Sequence, residues 1–166
     1  MYNLIQTLVI ALAACAPAVE AVLPVTDPVL GVTQQRPFCP ARPASAEFQR
    51  SAFYEMVNEF YFEDGMRVQS LKDFMSPDYI QHNPYELSGL NNSIATLGHV
   101  LDNATFTVLH VMFDSPIGAL HYKVQFPDQP PIAFTDIWRY NGTCIEEHWD
   151  VIQSLPANAT NPIALF

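Results

Sequence analysis

The feature that most constrains this chain is a pair of alternating runs late in the sequence. Ile132 to Tyr140 is rich in aromatic and β-branched residues, Asn141-Gly142 is a turn signal, and a second run extends from Thr143 to Ser154. Two such runs around Asn-Gly predict a β-hairpin. Successive strand residues point to opposite faces. Glu146, His148, Asp150 and Ile152 are therefore expected on one face, and Ile145, Glu147, Trp149 and Val151 on the other. Such a face sets an imidazole and a carboxylate beside apolar surface. If buried, that is costly unless the groups are paired or put to use.

Upstream, Thr105 to Phe113 and Gly118 to Phe126 read as two more strands, with turns at Ser115-Pro-Ile-Gly118 and Pro127-Asp-Gln-Pro-Pro131. The hairpin then completes a meander of four. Ahead of it the period changes. Ser45 is a predicted N-cap, and Phe48, Ala52, Phe53, Met56, Val57, Phe60 and Tyr61 follow at helical spacing, with a stop near Asp64-Gly65. A short helix is expected over Val68 to Met75, broken by Ser76-Pro77-Asp78. Tyr79 to Pro84 reads as a short extended piece, and Gly89 to Leu101 as a third helix with Ile94, Leu97 and Leu101 as its apolar stripe. Helices followed by an antiparallel meander predict an α+β domain with helices against one face of a curved sheet. At 166 residues the chain holds one domain plus appendages.

The appendages lie at the ends. Leu4 to Ala18 is apolar, too short to span a bilayer comfortably, and followed by small residues. Residues 1–21 are thus expected to be a signal peptide, with no stable membrane anchor after its removal. Residues 22–44 are Pro-rich and without period, an expected extended arm rather than a packed element. Residues 45–155 form the domain, and 156–166 a tail. Four Asn-x-Ser/Thr sequons, at Asn91, Asn103, Asn141 and Asn158, agree with a secreted, eukaryotic, glycosylated protein. In an oxidising compartment Cys39 and Cys144 are an even pair once Cys15 leaves with the leader. They form either a disulfide tying the arm to the hairpin or two buried thiols. A net charge of −10, with 7 scattered Lys and Arg, argues against nucleic acid as a partner.

Three motifs carry a resemblance: Tyr79-Ile-Gln-His-Asn-Pro84 followed by Gly89, then Thr135-Asp-Ile-Trp-Arg-Tyr-Asn-Gly142, then Glu147-His-Trp-Asp-Val-Ile-Gln153. Together they resemble the SnoaL-like polyketide cyclases, in the superfamily of nuclear transport factor 2, ketosteroid isomerase and scytalone dehydratase. The resemblance implies a cone, a curved antiparallel sheet wrapped around three N-terminal helices with a pocket inside. It also implies a homodimer formed through the outer sheet face. By similarity to the cyclases, Asp150 is the acid/base carboxylate of a cofactor-free intramolecular aldol closure. By similarity to ketosteroid isomerase, Asn83 stands where the general-base Asp is found, and Asp136 where a protonated oxyanion-binding Asp is found. Asn83 is a departure, because an amide cannot abstract a proton. Thr143-Cys144 is another, since it lengthens the turn by one residue. A strict two-residue turn pairs Thr135 with His148. A three-residue loop with a bulge pairs Phe134 with His148 and gathers Asp136, His148 and Asp150 on one face. The family pattern favours the second.

The expected catalytic set is Asp150, His148 and Asp136, with His148 and Asp150 about 6–7 Å apart along the strand. His82, Asn83, Tyr85, Phe134, Trp138 and Ile152 are the expected substrate-binding residues, with no metal and no cofactor. A base, an enolate-stabilising donor and a closed pocket are what an aldol closure or double-bond shift needs. Plainer roles stand beside these. Asp150 can be a structural hydrogen-bonding group and His148 a satisfied core histidine. Asp136 can pair with Arg139 or a tyrosine, Asn83 can serve the turn before its proline, and the aromatic residues can be core. The expected function is a cyclase or isomerase acting on a hydrophobic carbonyl-containing metabolite. A non-catalytic small-molecule-binding or dimerisation domain of the same fold is the alternative.

Overall fold

A computed structural model describes residues 25–161 and 163–166. The expected signal peptide, 1–21, lies outside the described residues. The element order is β1 (Val25–Thr26), β2 (Thr33–Gln34), α1 (Ala46–Phe62), α2 (Arg67–Phe74), β3 (Met75–Gln81), α3 (Leu90–Val100), β4 (Thr105–Asp114), β5 (Ile117–Gln125), β6 (Ile132–Asn141) and β7 (Cys144–Ser154). Strands β1 and β2 form a small hairpin of their own, and the other five make one sheet in the order β3-β7-β6-β5-β4.

Helix α1 starts where the sequence places it, because the Ser45 hydroxyl accepts from the Phe48 amide at 3.1 Å. Its apolar stripe, Phe48 through Tyr61, is buried throughout. The stripe packs on the inner face of the meander, where Leu120, Tyr122, Val124, Trp138, Tyr140 and Ile145 join it in one core. Ile94 and Leu97 of α3, and Leu101 just beyond it, pack against that core from one side.

Four expectations need correction. The sheet is mixed, because β3 runs parallel to β7. Strand β3 also begins at Met75, ahead of the extended piece expected from Tyr79, and runs through the Ser76-Pro77-Asp78 segment expected to break the second helix. It is an edge strand, and an edge tolerates a proline because one side of its backbone needs no donors.

The third correction concerns the hairpin register. Asn141 pairs with Cys144 across a Gly142-Thr143 turn, and a bulge at Glu146 then pairs Trp138 with His148 and Asp136 with Asp150. Neither anticipated pairing occurs, because the extra residue is absorbed in β7 rather than in the loop. The bulge also returns Ile145 to the inner side, where it is fully buried. The clustering of Asp136, His148 and Asp150 on one face survives.

The arm is the fourth correction, since it is packed. Phe38 is fully buried, with its ring edge-on to Phe48 at 5.5 Å and to Phe74 at 5.1 Å. Beside it the Arg36 guanidinium reaches Glu59 at 2.5 Å, Glu55 at 2.7 Å and Asp73 at 3.1 Å. Two of those carboxylates are buried by α1 and α2 and need a cation to offset their desolvation. Cys39 and Cys144 form a disulfide across a separation of 105 residues. A loop that long stabilises by roughly 4–5 kcal/mol in the chain-entropy picture. At the other end, the tail lies on the outer face of the sheet. There the Lys123 ammonium sits 5.6 Å above the Phe166 ring.

Candidate active site

Between the inner sheet face and the helices lies a cavity of about 300 Å³, mostly apolar, lined by residues of α1, α3, β3 and the loop after it, and strands β5 to β7. Asn83, Tyr85, Phe134, Asp136, Trp138, His148, Asp150 and Ile152 all line it. Eight of the nine predicted site residues are thus brought together, because the bulge keeps β6 and β7 in phase.

His82 is the exception. It turns to the outer face, stacks on Trp149 with centroids 5.0 Å apart, and pairs through Nε2 with Glu147 at 2.8 Å. Arg139 reaches the other oxygen of Glu147 at 2.7 Å. Hydrogen bonds from His82 and Arg139 hold the Glu147 carboxyl below its ordinary value. Alternation explains the difference: Gln81, one residue earlier, faces inward, so its neighbour cannot.

His148 is 7% exposed and held on three sides. Trp138 lies against its ring at 5.3 Å and Tyr79 stacks at 6.4 Å. Its Nδ1 meets Gln81 Oε1 at 2.8 Å. The same amide oxygen accepts from the Asn83 backbone N–H at 3.0 Å, which fixes the amide orientation. Gln81 therefore offers His148 only an acceptor, and Nδ1 carries the proton. Nε2 keeps its lone pair when the ring is neutral. It stands 3.7 Å from Asp136 Oδ1, too far for a hydrogen bond.

Asp136 is 5% exposed. Its Oδ2 accepts from the Tyr61 hydroxyl at 2.8 Å and the Tyr122 hydroxyl at 2.8 Å, and the two phenol oxygens lie 3.3 Å apart. Burial pushes both tyrosines well above their ordinary value, and the adjacent Asp136 adds to it, so both remain O–H donors. Asp136 Oδ2 is thus the shared acceptor of two phenols. Arg139 is not its partner.

Asp150 Oδ2 accepts from the Asn83 side-chain amide. Asn83 Oδ1 in turn accepts from the Tyr85 N–H at 2.8 Å. Asn83 therefore does serve its local turn, and it also anchors Asp150 across the sheet edge.

Tyr61, Tyr122, Gln81, Tyr79 and Glu86 were not anticipated as site residues. The available signal was the pair of tyrosines on otherwise core-facing positions, since a buried phenol needs a partner for its hydroxyl. Among the described residues, no three His, Cys, Asp or Glu side chains are grouped so as to hold a metal ion. All four sequon asparagines are exposed.

No protein-family model and no curated protein sequence matches this chain. Solved structures do. A nuclear transport factor 2-like protein of unknown function from Burkholderia xenovorans superposes with a TM-score of 0.57 at 14% identity, over 68% of this chain and 91% of that one. A candidate ketosteroid isomerase from Kribbella flavida gives 0.56 at 11% identity, over 69% and 84%. A candidate SnoaL-like polyketide cyclase from a Jannaschia species gives 0.50 at 14% identity, over 61% and 85%.

Proposed function

Given that this chain has the nuclear transport factor 2-like fold shared by SnoaL-like and ketosteroid isomerase-like proteins, we propose that it is a cofactor-independent cyclase or isomerase. Its substrate is a hydrophobic, carbonyl-containing metabolite such as a polyketide. The observation that carries this is the His148 Nε2 lone pair, held in a largely apolar cavity by Gln81, Trp138 and Tyr79 and backed by Asp136 at 3.7 Å.

His148 takes the role that the resemblance gives to Asp150. Nε2 removes a proton from carbon next to the substrate carbonyl, leaving an enolate. The imidazolium that forms lies beside Asp136, whose carboxylate is itself fixed by Tyr61 and Tyr122. In an isomerisation the same proton returns to a different carbon. In an aldol closure the enolate carbon bonds to a second carbonyl carbon, and the alkoxide formed takes that proton. Asp150, tethered by Asn83 one pleat along, orients the substrate and shares the proton traffic. A positioned acid/base is worth about two to four orders of magnitude in rate. The buried disulfide and the exposed sequons support a place in the secretory pathway.

The test is deuterium exchange at the carbon next to the ketone of 1-tetralone, followed by NMR in D2O. The wild-type protein is expected to accelerate exchange, and His148→Gln to lose at least about a hundredfold of that rate. Asp150→Asn is expected to fall between the two. Equal exchange with wild type and His148→Gln removes the proposed mechanism, and leaves the binding-only alternative.

A further inference from the structure

One carboxylate in the cavity is used by nothing described so far. Glu86 sits in the loop between β3 and α3 and lines the cavity. Its Oε1 is buried and, among the described residues, has no hydrogen-bond partner. The other two carboxylates of the cavity are engaged, Asp136 by two phenols and Asp150 by the Asn83 amide. Glu86 is also close enough to the buried Tyr79 hydroxyl to push its titration upward, after burial itself. A buried acceptor with no donor is expensive, and native folds retain few of them. The cavity wall therefore carries three carboxyl groups, one histidine and, among the described residues, no lysine or arginine.

We propose that Glu86 is the polar anchor for a hydrogen-bond donor on the bound molecule, and that the cavity selects a ligand with a hydroxyl or ammonium head over its carboxylate counterpart. The inference deepens the proposed function by naming a feature of the substrate, and rests on the same cavity being the ligand site. A donor head reaching the Glu86 carboxylate gives it a partner while the apolar body fills the aromatic walls. A carboxylate head meets three acidic groups with no fixed cation to offset them, and like charges brought together in a dry site are strongly disfavoured. A free polyketide acid is excluded on this reading, whereas its alcohol or amine is admitted.

Binding is measured by calorimetry with three probes of matched size: 2-naphthalenemethanol, 2-naphthalenemethylamine and 2-naphthoate. The alcohol and the amine are expected to bind at least about tenfold more tightly than the acid. Glu86→Gln is expected to narrow the amine-to-acid ratio by about tenfold, since it removes the charge and adds a donor. Naphthoate binding as tightly as the alcohol overturns the proposal, as does an unchanged ratio in Glu86→Gln. A second measurement needs no ligand. Glu86→Leu removes an unpaired buried acceptor, so its melting temperature is expected to equal or exceed that of wild type. A clear fall would show that Glu86 stabilises the empty fold and would also overturn the proposal. Retained head-group selection with no tetralone exchange sinks the catalytic reading alone.

Discussion

Gly142 is the point at which the hairpin and the arm are locked together, and replacing it by alanine should be far more damaging than its turn position implies. Its φ is +54°, and an added Cβ would lie 2.0 Å from the Arg42 carbonyl oxygen. That oxygen accepts from the Thr143 N–H at 2.9 Å, and the Thr143 hydroxyl accepts from the Arg42 N–H at 3.1 Å while donating to Phe38. The clash is with backbone, and the Cys39–Cys144 disulfide stops the arm from moving away freely. Left-handed strain on alanine costs about 1–2 kcal/mol. Loss of the two Arg42–Thr143 bonds, in a buried setting, costs about 1 kcal/mol each. The sum is about 3–4 kcal/mol, which for a domain of this size lowers the melting temperature by roughly 10 °C. Gly65 supplies the control: its φ is +75°, but an added Cβ there meets nothing within 4 Å. Gly65→Ala should therefore show the strain alone, about 1–2 kcal/mol. Urea unfolding of both variants with the disulfide intact gives the comparison. If Gly142→Ala is no worse than Gly65→Ala, the close approach of arm and turn contributes nothing and the reasoning fails.

Other outcomes follow from the same contacts. Tyr61→Phe or Tyr122→Phe each removes one donor from buried Asp136 and should cost about 1.5–3 kcal/mol in chemical denaturation; a change within error would mean the network is not holding Asp136. The phenols of Tyr61, Tyr79, Tyr122 and Tyr140 are raised first of all by burial. Their folded value exceeds the unfolded one, so the stability they carry is full below about pH 10 and is lost as pH rises beyond it. Absorbance at the phenolate band should show these four ionising only together with unfolding, and smooth titration of the folded protein would refute this. Burial alone would raise Asp27, but backbone N–H groups of Leu30, Ser45 and Val29 outweigh it and hold the carboxyl at about 2. The stability it contributes is present above its unfolded value of about 3.8 and disappears as pH falls toward about 2. Asp27→Asn should flatten that part of the acid unfolding curve, and an unchanged slope would count against the assignment.

Much of this protein was legible in one dimension because it follows from periodicity. The stripe from Phe48 to Tyr61, the Ser45 cap and the alternation of β5 and β6 each depend on neighbours within a turn or a pleat, and local geometry decides them. The shared face of His148 and Asp150 was legible for the same reason, whereas Asp136 joins it only through the hairpin register, for which the sequence left two pairings open. What depends on chain segments far apart was not. The pairing of Trp138 with His148 was settled by a bulge at Glu146, and the burial of Phe38 by carboxylates on α1 and α2 that Arg36 neutralises. His82 went outward because the parallel pairing of β3 with β7 set Gln81 opposite His148. The orphan oxygen of Glu86 became visible only when the helices closed over the sheet, since desolvation is a property of the assembled fold and no spacing of residues records it.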